Sequence, residues 1–307
     1  MTKVFIDGSA GTTGLRIYER LNSREDINLI ILPDELRKDT SARAESINSA
    51  DIAFLCLPDA AAVEAVGLVN NKNTAIIDTS TAHRTSDDWQ YGFAEIDNNF
   101  AKIQNSKRIA NPGCHASGFI ALVKPLIAGG ALKTDAKLSC FSLTGYSGGG
   151  KQMIAQYRAA DRDPLLDAPR MYALPQQHKH LAEMVKVCGL ENAPVFAPIV
   201  ADYYAGMQVS VPLFKSDIKA NISDIKQIYK NYYNGEIVKF VDSADESGFL
   251  SAAAFSGRDD MQITVTGNDE RIVLVARYDN LGKGASGSAI ENMNILLGAK
   301  IEEGLNI

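Results

Sequence analysis

The chain has 307 residues, a formal net charge of −6, 22% charged and 46% hydrophobic residues. This is the balance of a globular protein long enough for about two domains, and the acidic surplus argues against a nucleic-acid-binding face. No apolar run approaches the ~20 residues of a membrane span, and the four histidines and four cysteines show no metal-ligand spacing.

The first six residues lead directly into a strand with no signal-peptide pattern. Together with cysteines that lack a regular framework, this places the expected setting in a reducing compartment, the cytoplasm. Cys56, Cys140 and Cys188 lie in apolar surroundings and read as core packing.

Lys3–Asp7 reads as an apolar strand that breaks at Gly8-Ser9-Ala10-Gly11-Thr12-Thr13-Gly14, and a helix with Leu15, Tyr18 and Leu21 on one face follows. Strand, glycine loop and helix form the context of a dinucleotide site. The glycines let the backbone approach a pyrophosphate, and the helix N-terminus holds its charge. Ser9, Thr12 and Thr13 add hydroxyl donors. Later strands read at Leu29–Leu32, Ile52–Leu57 and Thr74–Asp78, which continues a βαβ run. After the second strand, Arg37 and Lys38 favour the 2′-phosphate of NADP over NAD, although Asp34 and Glu35 lie beside them.

Further on, Asn111-Pro112-Gly113-Cys114 precedes an apolar run with helical spacing, Phe119, Leu122, Val123 and Leu126. That spacing sets Cys114 at a helix start, where unpaired N–H groups and the helix dipole stabilise a thiolate. Cys114 is therefore the candidate nucleophile. The loop Gly145–Lys151, with three consecutive glycines, Ser147 and Lys151, suits an oxyanion. His178 and His180 supply candidate acid/base groups; in one continuous helix they would point roughly 200° apart, so that only one faces a given pocket. Strands at Met207–Phe214, Glu236–Val241, Met261–Val265 and Arg271–Arg277, with a helix near Ile222–Tyr233, predict a mixed, partly antiparallel sheet. Asn280–Gly287 is another glycine-rich approach, ahead of a helix carrying Ile290, Met293, Leu296 and Leu297.

Taken together, Gly8–Gly14, Leu57–Asp59, Asp78–Arg84, Tyr91–Glu95, Asn111–Cys114, Gly145–Lys151, His178–Met184 and Asn280–Gly287 resemble the N-acetyl-γ-glutamyl-phosphate reductases, relatives of aspartate-semialdehyde dehydrogenase. The resemblance covers nearly the whole chain and is to the shorter of the family's two forms. Three positions depart from the family pattern: Ala182 for proline, Met184 for isoleucine, and His115 where tyrosine is frequent.

The resemblance implies an α/β fold with a Rossmann-type NADP(H)-binding domain, residues 1–113 completed by a C-terminal helix at 286–307. An α+β catalytic and oligomerisation domain with a mixed sheet spans residues 114–285. It implies acyl transfer to Cys114, thioester reduction by NADPH, and His178 as acid/base by motif position with His180 second, in arginine biosynthesis. Asn280 and Gly284 join the cofactor residues. Arg84, Asn111, Ser147 and Lys151 are the expected substrate contacts, and a homodimer or homotetramer is expected. The same chemistry on aspartyl or aminoadipyl phosphate, and a non-catalytic NADP-binding sensor, are the alternative readings.

Overall fold

The computed structural model describes residues 1–307. In chain order the first strands and helices are β1 (Thr2–Asp7), α1 (Thr12–Leu21), β2 (Ile27–Ile30), α2 (Thr40–Ser49), β3 (Ile52–Leu55), α3 (Asp59–Gly67), β4 (Ala75–Asp78), β5 (Gln90–Tyr91), α4 (Asn99–Gln104) and β6 (Arg108–Ala110). They are followed by α5 (Cys114–Ala128), β7 (Ser139–Gly145), α6 (Gly150–Arg158), β8 (Arg170–Met171), α7 (His180–Cys188) and β9 (Val195–Ala201). The last are β10 (Met207–Phe214), α8 (Ile222–Tyr232), β11 (Val238–Phe240), β12 (Met261–Gly267), β13 (Arg271–Tyr278) and α9 (Gly287–Leu297). No helix is long and apolar enough to cross a membrane. The chain divides into two compact units, Met1–Pro112 with Ala285–Leu305, and Gly113–Gly284 with Asn306–Ile307.

The first unit is built on a parallel sheet in the order β2-β1-β3-β4-β6-β5. Its central strands β3 and β4 are buried at every position, as apolar strands covered on both faces must be. Alternation along β1 separates two cores. Val4 and Ile6 pack with Ile17, Leu21, Phe54, Ile77, Ile290 and Met293, while Phe5 packs on the other face with Ile47, Leu55 and Ile76. The strand expected at Leu29–Leu32 forms earlier, at Ile27–Ile30, because β2 pairs Ile27 with Thr2 and Pro33 stops it. The strand order turns back between β1 and β3, and open sheets take ligands at the carboxyl ends beside such a switch point.

The second unit carries a seven-stranded mixed sheet, β11-β12-β13-β10-β7-β9-β8. The pairs β7/β9 and β11/β12 are parallel and the others antiparallel. Helix α5 is buried from His115 through Val123, hence its apolar residues all round. Pro125 lies inside it and has no N–H to give the Ala121 carbonyl. The Tyr233 hydroxyl donates to that carbonyl at 2.8 Å, and the Tyr229 hydroxyl bonds the adjacent Leu122 carbonyl. On the sheet, Phe141, Met171, Val195 and Phe214 are exposed apolar residues.

Candidate active site

Cys114 is the first residue of α5. Gly113 is its N-cap, in extended backbone, and no side chain caps the turn. The first-turn N–H groups have no intrahelical acceptors and are oriented to meet an anion at the half-buried sulfur. The Gly113 N–H itself donates to Glu183 Oε1 at 2.8 Å. Gly284 lies against the cysteine, since a Cβ there would come within 3.0 Å of Cys114 Cβ. This position, expected to serve the cofactor, packs on Cys114 in the second unit.

Three histidines of this unit form one group. Ring centroids of His115 lie 5.6 Å from both His178 and His180, and the last two are 4.6 Å apart. The opposite orientation expected for one continuous helix does not arise, because α7 begins only at His180 and leaves His178 in the turn before it. The His180 N–H donates to His178 Nδ1 at 3.1 Å. Neutral His178 therefore carries its proton on Nε2, and a second proton would break that bond. This tautomer makes His178 a hydrogen-bond donor at Nε2.

His115 is excluded from such a role. One ring nitrogen pairs with Ser142 Oγ at 2.7 Å and the other with the Tyr172 hydroxyl at 2.6 Å. Burial, with His178 nearby, pushes its pKa down to about 3, so the ring is neutral.

In the first unit the glycine loop is a close-fitting backbone cradle. Gly8 has φ +87°, and a Cβ there would meet the Cys56 carbonyl oxygen at 2.3 Å. A Cβ on Gly14 would lie 2.4 Å from the Gly8 oxygen, and Gly11 caps α1 without a side chain. Ser9, Thr12 and Thr13 are partly exposed along it. A surface of backbone N–H groups at a helix start, with no Cβ in the way, fits a pyrophosphate. Arg37 and Lys38 are exposed after β2, with Arg37 paired to Asp34 at 2.7 Å.

Several expected contacts are buried struts. In the first unit, Asn111 donates to the Ala285 carbonyl at 2.9 Å and accepts from Asn292 at 3.1 Å. Arg84 donates to the Asn111 and Thr79 carbonyls at 2.8 and 2.9 Å. In the second, Asn280 donates to Ser147 Oγ at 3.0 Å and accepts the Gly206 N–H at 2.9 Å, and both side chains are buried. Their polar atoms hold loops together within each unit. Lys151 is exposed at the start of α6.

Residues 3–105 match the family described as semialdehyde dehydrogenase, NAD binding domain, and residues 114–280 match semialdehyde dehydrogenase, dimerisation domain. An N-acetyl-gamma-glutamyl-phosphate reductase 2 of Nostoc sp. is 45% identical over 99% of both chains. The reductase of Sinorhizobium medicae is 44% identical, covering 97% of this chain and 99% of that one. The chain belongs to the N-acetyl-γ-glutamyl-phosphate reductase family. Solved structures share the fold at lower identity. Aspartate semialdehyde dehydrogenase II of Vibrio cholerae, complexed with ASA, has a TM-score of 0.71 at 15% identity, covering 97% of this chain and 98% of that one. The Candida albicans aspartate semialdehyde dehydrogenase with NADP has 0.69 at 15%, covering 98% and 99%.

This reductase-family chain also holds buried polar groups to which the sequence assigns no role. Asp78 is fully buried at the end of β4 and accepts from the Ser80 N–H and hydroxyl and from His83 Nδ1, the last at 2.6 Å. His83 stacks on Trp89 with 4.1 Å between centroids. The spacing of Asp78 and His83 in one loop was the available signal. Glu183 lay inside a quoted motif, whereas Tyr172, next to the two-residue strand β8, had no local signal.

Proposed function

We propose that this chain reduces N-acetyl-γ-glutamyl phosphate to N-acetylglutamate semialdehyde with NADPH, releasing phosphate, in arginine biosynthesis. The observation that carries the reading is Cys114 at an uncapped helix start, in a unit that also groups His178 with His180.

His180 accepts the thiol proton of Cys114, and the α5 N-terminus stabilises the resulting thiolate. The thiolate attacks the acyl carbonyl. The tetrahedral oxyanion, held by His178 Nε2–H and first-turn N–H groups, collapses with loss of phosphate to a Cys114 thioester. When bound, the reduced dinucleotide supplies a hydride to the thioester carbonyl. The same donors hold the hemithioacetal oxyanion, which collapses to the aldehyde and returns the thiolate. Lys151 is assigned to an anionic group of the substrate. Gly8, Gly11 and Gly14, with Ser9, Thr12 and Thr13, are assigned to the pyrophosphate, and Arg37 and Lys38 to the 2′-phosphate.

The covalent step has a direct test. Given N-acetyl-γ-glutamyl phosphate without NADPH, the protein releases one phosphate per chain and gains the mass of one N-acetylglutamyl group, located on Cys114. Phosphate release with no adduct, or an adduct elsewhere, overturns the reading. For the partner, we propose a homodimer through the sheet face bearing Phe141, Met171 and Val195. Phe141→Glu should halve the mass measured by light scattering, and an unchanged mass removes this face from the interface.

A further inference from the structure

Three tyrosine hydroxyls bond carbonyls of helix α5, and two have an evident reason. Tyr233 satisfies the Ala121 carbonyl that Pro125 leaves without a donor, and Tyr229 bonds Leu122 one residue on. The third is at the opposite end. Tyr278, the fully buried last residue of β13, donates to the Cys114 carbonyl at 2.5 Å and accepts the Gly118 N–H at 3.0 Å. Its hydroxyl thus lies across the Cys114–Gly118 i to i+4 pair, which follows the Gly113–Ser117 bond that opens the helix, and no proline has created a vacancy there. Residue 118 is built for this contact, since a Cβ on Gly118 would come within 2.6 Å of the hydroxyl and of Val209 Cγ2. One residue before Cys114, the Gly113 N–H is held by Glu183, so the chain is tied on both sides of the cysteine.

We propose that Tyr278 is a positioning residue for the acyl-transfer step, fixing the first turn of α5 so that its N–H groups and the Cys114 sulfur hold one geometry. The inference rests on the reading of Cys114 as the nucleophile. Tyr278 bonds the Cys114 backbone, and its hydroxyl also lies within electrostatic reach of the Cys114 thiol; it is assigned no chemical step and acts by holding the turn. Titratable side chains tied to this turn are Glu183 through the Gly113 N–H, Tyr172 electrostatically, His115 next along α5, and buried Lys283 beside Gly284, and none of them changes in a Tyr278 variant.

The test compares Tyr278→Phe with Tyr233→Phe, which removes a hydroxyl–carbonyl bond from the same helix two turns away. For each, kcat and KM, thermal midpoint, and the pH dependence of Cys114 alkylation by iodoacetamide are measured. Both variants should lose stability. Only Tyr278→Phe should lower kcat, by about tenfold or more with KM within a factor of about two, because small misplacements of a reacting group cost that much. Only in that variant should the alkylation midpoint move to higher pH, as the thiolate loses its aligned donors. If Tyr278→Phe loses stability alone, with kcat and the alkylation profile like those of Tyr233→Phe, the role is purely structural and the proposal fails. Should Tyr278→Phe not fold, Gly118→Ala, which displaces the hydroxyl, is read by the same criteria. Failure of the underlying reading is distinguishable, because Cys114→Ser would then still turn over.

Discussion

His178 and His180 meet ring against ring, with 4.6 Å between centroids, because the backbone N–H of one is spent on the side chain of the other. That bond sets the His178 tautomer, and the proposed mechanism gives proton transfer to His180 and the oxyanion to His178. His180→Gln should lower kcat by about 10²–10³ and erase one limb of the kcat pH profile, as loss of a general acid/base does. His178→Gln should lower kcat by about 10² and keep that limb, as loss of an oxyanion donor does. A limb that survives in His180→Gln and vanishes in His178→Gln would return proton transfer to His178.

The third ring of the group bears on stability. Folded His115 takes a proton only near pH 3, whereas an unfolded chain takes it near 6.5. The folded-state pKa is lowered, so its contribution is complete above pH 6.5 and declines as pH falls toward 3, by at most about 1.4 kcal/mol per unit. The thermal midpoint should therefore fall as pH drops from 7 to 4, and His115→Gln, less stable at pH 8, should show a shallower fall. Equal slopes in the two proteins would contradict a buried neutral imidazole.

Nucleotide binding is expected to depend on the absence of a side chain at Gly14. A Cβ at residue 14 would lie 2.4 Å from the Gly8 oxygen, too close for either backbone to stay in place. Gly14→Ala should weaken NADPH binding, followed by fluorescence titration, by about 100-fold, and cost about 1–3 kcal/mol of stability through overpacking. An unchanged Kd would remove the α1 N-terminus as the pyrophosphate cradle.

Cofactor choice is expected to reside in the segment after β2. Replacing Arg37 and Lys38 together with Ala should raise KM for NADPH about tenfold or more, the usual range for hydrogen bonds to a charged group, and leave KM for NADH unchanged. A parallel rise for both cofactors would assign these side chains to something other than the 2′-phosphate. The Arg37–Asp34 pair is exposed and opposes such a contact only weakly.

Much of this arrangement was readable from local pattern, and the unreadable part has physical causes. Parts of both sheets follow from short-range signals, the apolar runs without alternation in β3 and β4 and the strands β10, β12 and β13, whereas β5, β6, β8 and β9 were not read from the sequence. The start of α5 at Cys114 follows from a Pro-Gly turn before an apolar helical run. The histidine geometry did not follow, because helical spacing was applied across residue 179, where α7 has not begun. The mutual bond of Asn280 and Ser147 joins residues 133 positions apart, and no spacing rule separates such a strut from a ligand contact. Tyr172 is set against His115 by strand β8, which at two residues is too short to leave a periodic signal.

The central claim is that Cys114 carries the acyl group in an NADP-dependent, phosphate-requiring reaction. It is tested most directly by oxidising N-acetylglutamate semialdehyde with NADP in the presence and absence of phosphate, following reduced nicotinamide by absorbance. Wild type and Cys114→Ser are run side by side with NADP binding measured in both. The account predicts phosphate-dependent turnover in the wild type and none in Cys114→Ser, at equal NADP affinity. Turnover that persists in Cys114→Ser, or a wild type that binds NADP and turns over nothing, would contradict it.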